Sequence, residues 1–480
     1  MPTGDRPNVL LIISEDNGPH LGCYGDRFAK TPNLDRLASE GVRFANAFTT
    51  QAVCSPGRAS ILTGLYPHQC GQIGLATHKY ALYDDFPNLH SLLKGAGYRT
   101  GLIGKLHINP ESDFPFDMWW NERESISFAH RDVRKMAEMA EAFMAPSAEP
   151  FFLQISHPDA HLPFHRQQFG VPEEPVEGKD VEPLPFVGVD TPRIREQTAD
   201  YYNCMSRLDT GIGLTLEALD RLGKAGNTLV IYATDHGAQF SRGKTACYEG
   251  SLQEPLILRW PGRVQTGLVC EEMVSHVDIL PTVMEAVSLD CPPVAGVSLL
   301  PLSEGQDVSW REYLFAEWCS GGVSTYFPQR SVRDTRFKLI SNLLQDRPSP
   351  SALGYAATDQ RWEPGATEEE IKTATAQVQK AYETYLRPPP EELYDLENDP
   401  WEFNNLANQP EYVEVQARLQ KALQTWREET EDALLDPAIL EQLTREHDAI
   451  RDQYYGDDPW GRSRDYVWQY AGYLYQRKEK

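Results

Sequence analysis

Five short stretches of the chain are almost wholly apolar: NVLLII (8–13), YRTGLI (98–103), FFLQIS (151–156), TLVIYAT (228–234) and EPLILRW (254–260). Their length and their content of β-branched and aromatic residues predict strands of a buried, mostly parallel sheet. The segments between them change period. TPNLDRLASEG (31–41) reads as a helix with Thr31 as its cap, Pro32 in the first turn and Gly41 at the stop, and ADYYNCMSRLDTGIGLTLEALDRLGKAG (199–226) keeps helical spacing until it ends in glycine. Strands alternating with helices predict an α/β layered domain.

After about residue 305 the pattern shifts. REYLFAEW (311–318), RSVRDTRFKLISNL (330–343) and EELYDLENDP (391–400) follow one another as strands without long helices between them, which predicts a smaller antiparallel sheet. The division drawn is 1–325 for the larger domain and 326–480 for the smaller one. Within the latter, about 345–390 forms an insertion: a polar, turn-rich loop followed by the helix-like EEEIKTATAQVQKAYETYL (368–386). The tail DYVWQYAGYLYQ (465–476) is aromatic, a composition that packs on the body of a protein or forms a homo-oligomer contact.

Composition narrows the class. The chain has 480 residues, 41% hydrophobic and 24% charged, an ordinary globular balance. Its 45 basic against 70 acidic residues give a net charge of −25, which argues against nucleic acid or an anionic membrane as partner. An anionic substrate therefore needs a local positive pocket. No apolar run reaches the roughly 18–20 residues of a membrane helix, and MPTGDRPNVLLIIS lacks the basic flank, long apolar core and cleavage site of a secretory signal. The eight cysteines, at 23, 54, 70, 204, 247, 270, 291 and 319, stand singly, with no CxxC and no dense disulfide framework.

The chemistry gathers at strand ends. SEDNG (14–18) follows the first strand and TDHG (234–237) follows LVIYA, so Glu15, Asp16, Asp235 and His236 emerge where open α/β sheets build their sites. Three carboxylates and an imidazole suit a divalent cation, oxygen ligands favouring calcium or magnesium and the histidine admitting manganese. Taken singly, each acidic pair reads as a turn or a helix cap. GKLH (104–107) supplies Lys105 and His107, SHPDAHLPFH (156–165) supplies His157, His161 and His165, and SRGKT (241–245) supplies Lys244. QAVCSPGRASILTG (51–64) adds Cys54 and Arg58 at the start of a helix, with Pro56 in its first turn. A helix start of this kind favours an anion beside residue 54.

CSPGR resembles the Cys-x-Pro-x-Arg signature of the formylglycine-dependent (type I) sulfatases, an alkaline-phosphatase-like superfamily. The same order of motifs continues through TPNLDRLASEGVRFANAF, TGLIGKLH, HLPF, TLVIYATDHG, GKTACYEG, EPLILRWPG, SVRDTRFKLI and ELYDLENDPWEFNNLA, nearly the whole chain. FANAFTTQAVCSPGRASILTGLYPHQCGQIG and GYRTGLIGKLHINPESDFPFD are most similar to the heparan N-sulfatase (sulfamidase) branch, whose bacterial relatives include enzymes that desulfate other polysaccharides.

The resemblance implies a large alkaline-phosphatase-like catalytic domain over 1–325. It implies that a maturation enzyme, the formylglycine-generating enzyme, converts Cys54 to Cα-formylglycine. Glu15, Asp16, Asp235, His236 and residue 54 would hold one divalent cation, calcium first and manganese or magnesium second. Arg58 would point to the hydrated aldehyde, Lys105 and Lys244 would bind sulfate oxygens, His107 would act as base and His161 as acid to the leaving group. His78 in LATHKY and Arg330 in FPQRSV would border the sugar cleft. Two positions depart from the branch: Glu15 stands where most relatives carry aspartate, and His236 where sulfamidases show asparagine. Related phosphonate and phosphodiester hydrolases do use histidine there. The implied activity is removal of an N- or O-linked sulfate from a saccharide, with an algal-polysaccharide O-sulfatase or a phosphonate or phosphodiester hydrolase as alternatives.

Overall fold

The computed structural model describes residues 6–121, 126–146, 149–345, 347–357, 365–455 and 465–475. Eight strands form the larger sheet: β1 (Asn8–Ser14), β2 (Val42–Phe48), β3 (Arg99–Gly104), β4 (Met118–Trp120), β5 (Phe151–Ser156), β6 (Thr228–Thr234), β7 (Gln253–Arg259) and β8 (Leu268–Ser275). Their spatial order is β4-β3-β5-β1-β6-β7-β2-β8. All neighbours pair parallel except β7, which runs against both β6 and β2. The sheet is mostly parallel, as the apolar runs predict, and is mixed through β7.

Both faces of the central strands are buried, which is why their sequences show no polar alternation. Leu10, Ile12, Leu153, Ile155 and Val230 face one core, shared with the helices Val133–Met144 and Pro192–Arg221. Val9, Leu11, Ile13, Phe152 and Ile231 face the other, shared with the helices Leu89–Gly95 and Ile279–Ala286 and with Ile61 and Leu62 of the helix Cys54–Thr63. The strand ends after Ser14, Gly104, Ser156 and Thr234 therefore sit on a rigid, doubly covered platform.

The smaller sheet is antiparallel, in the order β12-β11-β10-β9, from β9 (Leu314–Trp318), β10 (Gln329–Arg333), β11 (Phe337–Asn342) and β12 (Glu391–Asp395). β9 precedes residue 325, so the small sheet takes its edge strand from the N-terminal side of the division drawn above. The helix Val413–Glu429 covers this sheet through Leu419, Leu423 and Trp426, packed with Val332, Leu339 and Leu393. The helix-like 368–386 stretch is two helices, Glu368–Ile371 and Ala376–Leu386, because Thr375 caps the second by accepting the amide of Val378. Part of the insertion, 358–364, lies outside the described residues, as do the chain ends 1–5 and 476–480. The aromatic tail 465–475 packs on the body: Tyr466 and Trp468 donate to the His78 carbonyl at 2.9 and 2.8 Å. Among the described residues no helix is long and apolar enough to cross a membrane.

Candidate active site

Residue 54 begins the helix Cys54–Thr63, and the residue before it, Val53, is extended and offers no side-chain cap. Pro56 has no N–H and Gly57 already donates to the Val53 carbonyl at 3.1 Å, so the amides left to an external acceptor are those of Cys54 and Ser55, in the electropositive position a helix start provides. Gly57 in that turn lies against the end of β6: a Cβ there would meet the Asp235 carbonyl at 2.4 Å. The glycine is what lets the helix start and the Asp235 turn share one site.

Residues from the ends of β1 and β6 meet Lys244 at Cys54. Its Sγ is 3.5 Å from His236 Nε2, 3.9 Å from Asp16 Oδ1 and 3.8 Å from Lys244 Nζ. His236 Nε2 lies 3.0 Å from Asp16 Oδ1 and 3.5 Å from Asp235 Oδ1. Glu15, Asp16, Cys54 and His161, and again Asp16, Cys54, Asp235 and His236, present ligand atoms within 4.8 Å of one another. This is a buried cluster able to coordinate a divalent metal.

Cations frame that cluster. Arg58, fully buried, donates from Nε to Asp235 Oδ2 at 3.1 Å, from Nη2 to Glu15 Oε1 at 3.0 Å and from Nη1 to Ser156 Oγ at 3.0 Å. Lys105 Nζ donates to Glu15 Oε2 at 3.1 Å and Lys244 Nζ to Asp16 Oδ2 at 2.8 Å. Burial opposes ionisation of Asp16, yet Lys244, His161 and His236 hold its carboxyl well below the usual range. Burial also disfavours a charged His236, but Asp235 and Asp16 overcome this and raise it well above the ordinary imidazole value. An imidazole facing two carboxylates marks a place where positive charge is favoured. A hard divalent cation fits the same donor set with the imidazole neutral.

The two remaining histidines differ in their commitments. Both ring nitrogens of His107 are buried with no hydrogen-bond partner among the described residues, and its backbone is held at φ 62°, a left-handed conformation unusual for a side-chain-bearing residue. Burial first, and then Lys105 and Arg58, push its pKa well below the ordinary value. His161 hydrogen-bonds through Nδ1 to the Leu162 carbonyl at 2.6 Å, which turns Nε2 toward Asp16 Oδ2, 3.9 Å away. Burial pushes His161 down to about 3, Lys244 and Lys105 adding to it and Asp16 opposing. Phe128 stacks on the ring at 3.9 Å and 11°, with Lys105 Nζ 4.9 Å above the same phenyl.

Glu15, Asp16, Cys54, Arg58, Lys105, His107, His161, Asp235, His236 and Lys244 thus occupy one pocket. Other sequence candidates sit elsewhere. His157 is fully buried, and His165 donates from Nε2 to the Phe128 carbonyl at 3.0 Å. His78 is buried in the turn Ala76–His78, with Nδ1 3.1 Å from Tyr455 Oη. Arg330 is 1% exposed and makes two 2.9 Å bonds to Asp432, with Glu317 3.4 Å away. Phe128 and Ser156 escaped sequence reasoning, because a stacking phenyl and a strand-end serine carry no local chemical signature.

Residues 7–289 match the model of the sulfatase family, and residues 238–347 match that of the N-sulphoglucosamine sulphohydrolase C-terminal region. The chain belongs to the sulfatase family. It is a type I, formylglycine-dependent member by its signature, of alkaline-phosphatase-like architecture, and it falls with the heparan N-sulfatase branch. The human N-sulphoglucosamine sulphohydrolase is 33% identical over 468 residues, spanning 89% of this chain and 91% of that one. An ulvan-active sulfatase of Formosa agariphila is 30% identical over 91% of this chain and 82% of its own. The phosphonate monoester hydrolase of Agrobacterium radiobacter shares the fold at a TM-score of 0.65 and 21% identity, with 88% of this chain and 96% of that one covered. The protein is accordingly a sulfatase-type hydrolase.

Proposed function

We propose that this sulfatase removes an N- or O-linked sulfate from a saccharide, with residue 54 matured to Cα-formylglycine and a calcium ion held by Glu15, Asp16, Asp235, His236 and residue 54. The observation that carries this reading is the position of Cys54: it opens a helix that has no side-chain cap and lies within 3.5–3.9 Å of His236, Asp16 and Lys244. A thiol is poorly suited to the task, because its sulfated adduct has no ready route for releasing product. A hydrated aldehyde offers one hydroxyl to attack sulfur and a second whose deprotonation expels sulfate and restores the aldehyde. The cation would lower the pKa of the attacking hydroxyl and neutralise sulfate charge.

This chain's own groups do the rest. Lys105 and Lys244 supply fixed positive charge where the sulfate oxygens gain negative charge. Arg58 locks Asp235 and Glu15 into one orientation. His107, neutral and unpartnered, takes the proton of the second hydroxyl. His161 delivers a proton from Nε2 to the departing oxygen or nitrogen; an anionic sulfate beside Lys105 and Lys244 favours the protonated ring. The relatives named above act on N-sulphoglucosamine and on ulvan, which supports a sulfated saccharide as substrate class. His236 also suits the phosphonate and phosphodiester reading.

The test is sulfate release from a panel of defined N- and O-sulfated heparan and algal saccharides, beside an aryl phosphate diester and a phosphonate monoester, with metal content measured on the same protein. Sulfate release from a saccharide, lost on chelation and restored by calcium, is the expected result. Turnover of the phosphorus esters alone would transfer the protein to the second reading, and a preparation free of metal but active would remove the cation from the account.

A further inference from the structure

Beyond the groups that touch the pocket, the turn carrying His161 is suspended from a buried ion triad with no part in the reading above. Asp159, Arg131 and Arg207 are all fully buried. Arg207 grips the carboxylate with two bonds, Nε to Oδ2 at 2.8 Å and Nη2 to Oδ1 at 2.6 Å, and Arg131 adds Nη1 to Oδ1 at 2.5 Å. The free arms of the guanidiniums then hold the loop: Arg131 Nη2 donates to the carbonyls of His161 and, at 2.9 Å, Pro163, while Arg207 Nη1 donates to the carbonyl of His165 at 2.9 Å. Three carbonyls in the five residues 161–165 are thereby referred to one carboxylate.

The backbone of the same residue reaches the opposite way. Glu15 N donates to the Asp159 carbonyl at 3.0 Å, and Ala160 N donates to the Glu15 carbonyl at 2.6 Å. A reciprocal pair of bonds thus couples Asp159 to the end of β1, where Glu15 and Asp16 leave the sheet. We infer that the Asp159–Arg131–Arg207 triad is a positioning device that fixes His161 relative to the carboxylates of Glu15 and Asp16. The inference deepens the function proposed above and rests on it. These are positioning residues: they act on the leaving group only through His161.

Geometry sets the expected size of the effect, since a misplacement of about 1 Å in a reacting group costs on the order of 10²-fold in rate. Arg131→Lys is the discriminating change. It keeps the charge beside Asp159 but loses the planar fork that reaches the carboxylate and two carbonyls together. The full-length, metal-loaded protein, its Arg131→Lys and His161→Ala variants and the double variant are assayed on aryl sulfates of graded leaving-group acidity.

Arg131→Lys is expected to lower kcat on the poorest leaving group by about 10²-fold and on a nitrophenyl sulfate by less than about threefold, and to add little on top of His161→Ala. KM and bound metal stay near their wild-type values. Equal losses across the series, or full additivity with His161→Ala, would overturn the inference while leaving the hydrolase reading intact. Arg207→Lys, which spares the carbonyl contacts of Arg131, gives a smaller loss of the same kind and carries the test if Arg131→Lys fails to fold. Wild-type protein that hydrolyses no sulfate ester, aryl or saccharide, overturns the function itself and this inference with it.

Discussion

Two of the buried charge clusters in this molecule differ in how their charges are paired. At the junction with the small sheet, Arg330 meets Asp432 through two 2.9 Å bonds, Glu317 accepts from His68 Nδ1 at 2.9 Å, and Arg427 donates to Asp432 at 2.6 Å. Asp432 is held far below the usual carboxylate range: burial opposes this, and Arg330 and His68 prevail. In the pocket around Cys54, by contrast, His107 has no partner for either nitrogen among the described residues, and Asp235 and Asp16 raise the pKa of the buried His236 well above the ordinary imidazole value. Buried charge by itself marks neither catalysis nor stability. An orphaned nitrogen does not mark the site either, since Arg427 Nη2 at the junction and both ring nitrogens of the core His157 also lack partners among the described residues; what sets the pocket apart is that its unpartnered imidazole lies among the charged groups around Cys54.

The sharpest way to separate the two clusters is to cut each in turn. Cys54→Ala should abolish turnover, a loss of about 10⁴-fold or more, with the thermal transition little changed; sulfate release and calorimetry read both. Asp432→Ala should do the reverse. Taking the Asp432 carboxylate from the buried Arg330 and Arg427, with Glu317 3.4 Å from Arg330 as the remaining carboxylate, costs about 3–5 kcal/mol of stability, while KM and kcat of the folded fraction hold. A large fall in activity without a fall in melting temperature would break the comparison.

His161→Ala tests the pocket more finely. Loss of the acid should cost at least about 10²-fold on a sugar sulfate and far less on a nitrophenyl sulfate, whose leaving group needs no proton. Equal losses on both would remove His161 from the acid role.

The smallest effect concerns a histidine outside both clusters. His447 is buried, accepts at Nε2 from Tyr80 Oη at 2.7 Å and donates from Nδ1 to the Leu443 carbonyl at 2.9 Å, so it is neutral, with its pKa pushed down to about 3 by burial. The unfolded chain binds this proton below its ordinary value near 6.5 and the folded one does not. The stabilisation is complete above that value and falls as pH drops from there toward 3, by about 1.4 kcal/mol per unit. His447→Gln should therefore lose less stability than the wild type between pH 7 and pH 5, measured by denaturant titration.

Much of the platform was legible because its strands are buried on both faces. Phe151–Ser156 and Thr228–Thr234 coincide with their apolar runs, and Glu391–Asp395 opens the predicted EELYDLENDP. β2 and β8 were not, for physical reasons. Val42–Phe48 carries Arg43 and Asn46 and shifts register against both neighbours, while Leu268–Ser275, at the sheet edge, exposes Glu271 and Glu272. The direction of β7 was hidden too, since an apolar run reads the same whichever way the chain crosses.

The pocket was legible where side chains carry their own chemistry and opaque where only placement does. Asp16, His107 and Lys244 could be named from strand ends and motif order. That Phe128 roofs His161, or that Arg131, Asp159 and Arg207 suspend its turn, depends on partners 28–48 positions apart in sequence. Arg330 shows the converse: an arginine that the resemblance implies at the sugar cleft is paired with Asp432 within the fold.

The central claim, that residue 54 works as an oxidised side chain set over a bound cation, is most directly tested by peptide mass spectrometry of active protein. The account predicts that the peptide containing residue 54 has lost its sulfur and reacts with carbonyl reagents, in proportion to specific activity. Fully active protein in which that peptide is found only as the thiol would contradict it.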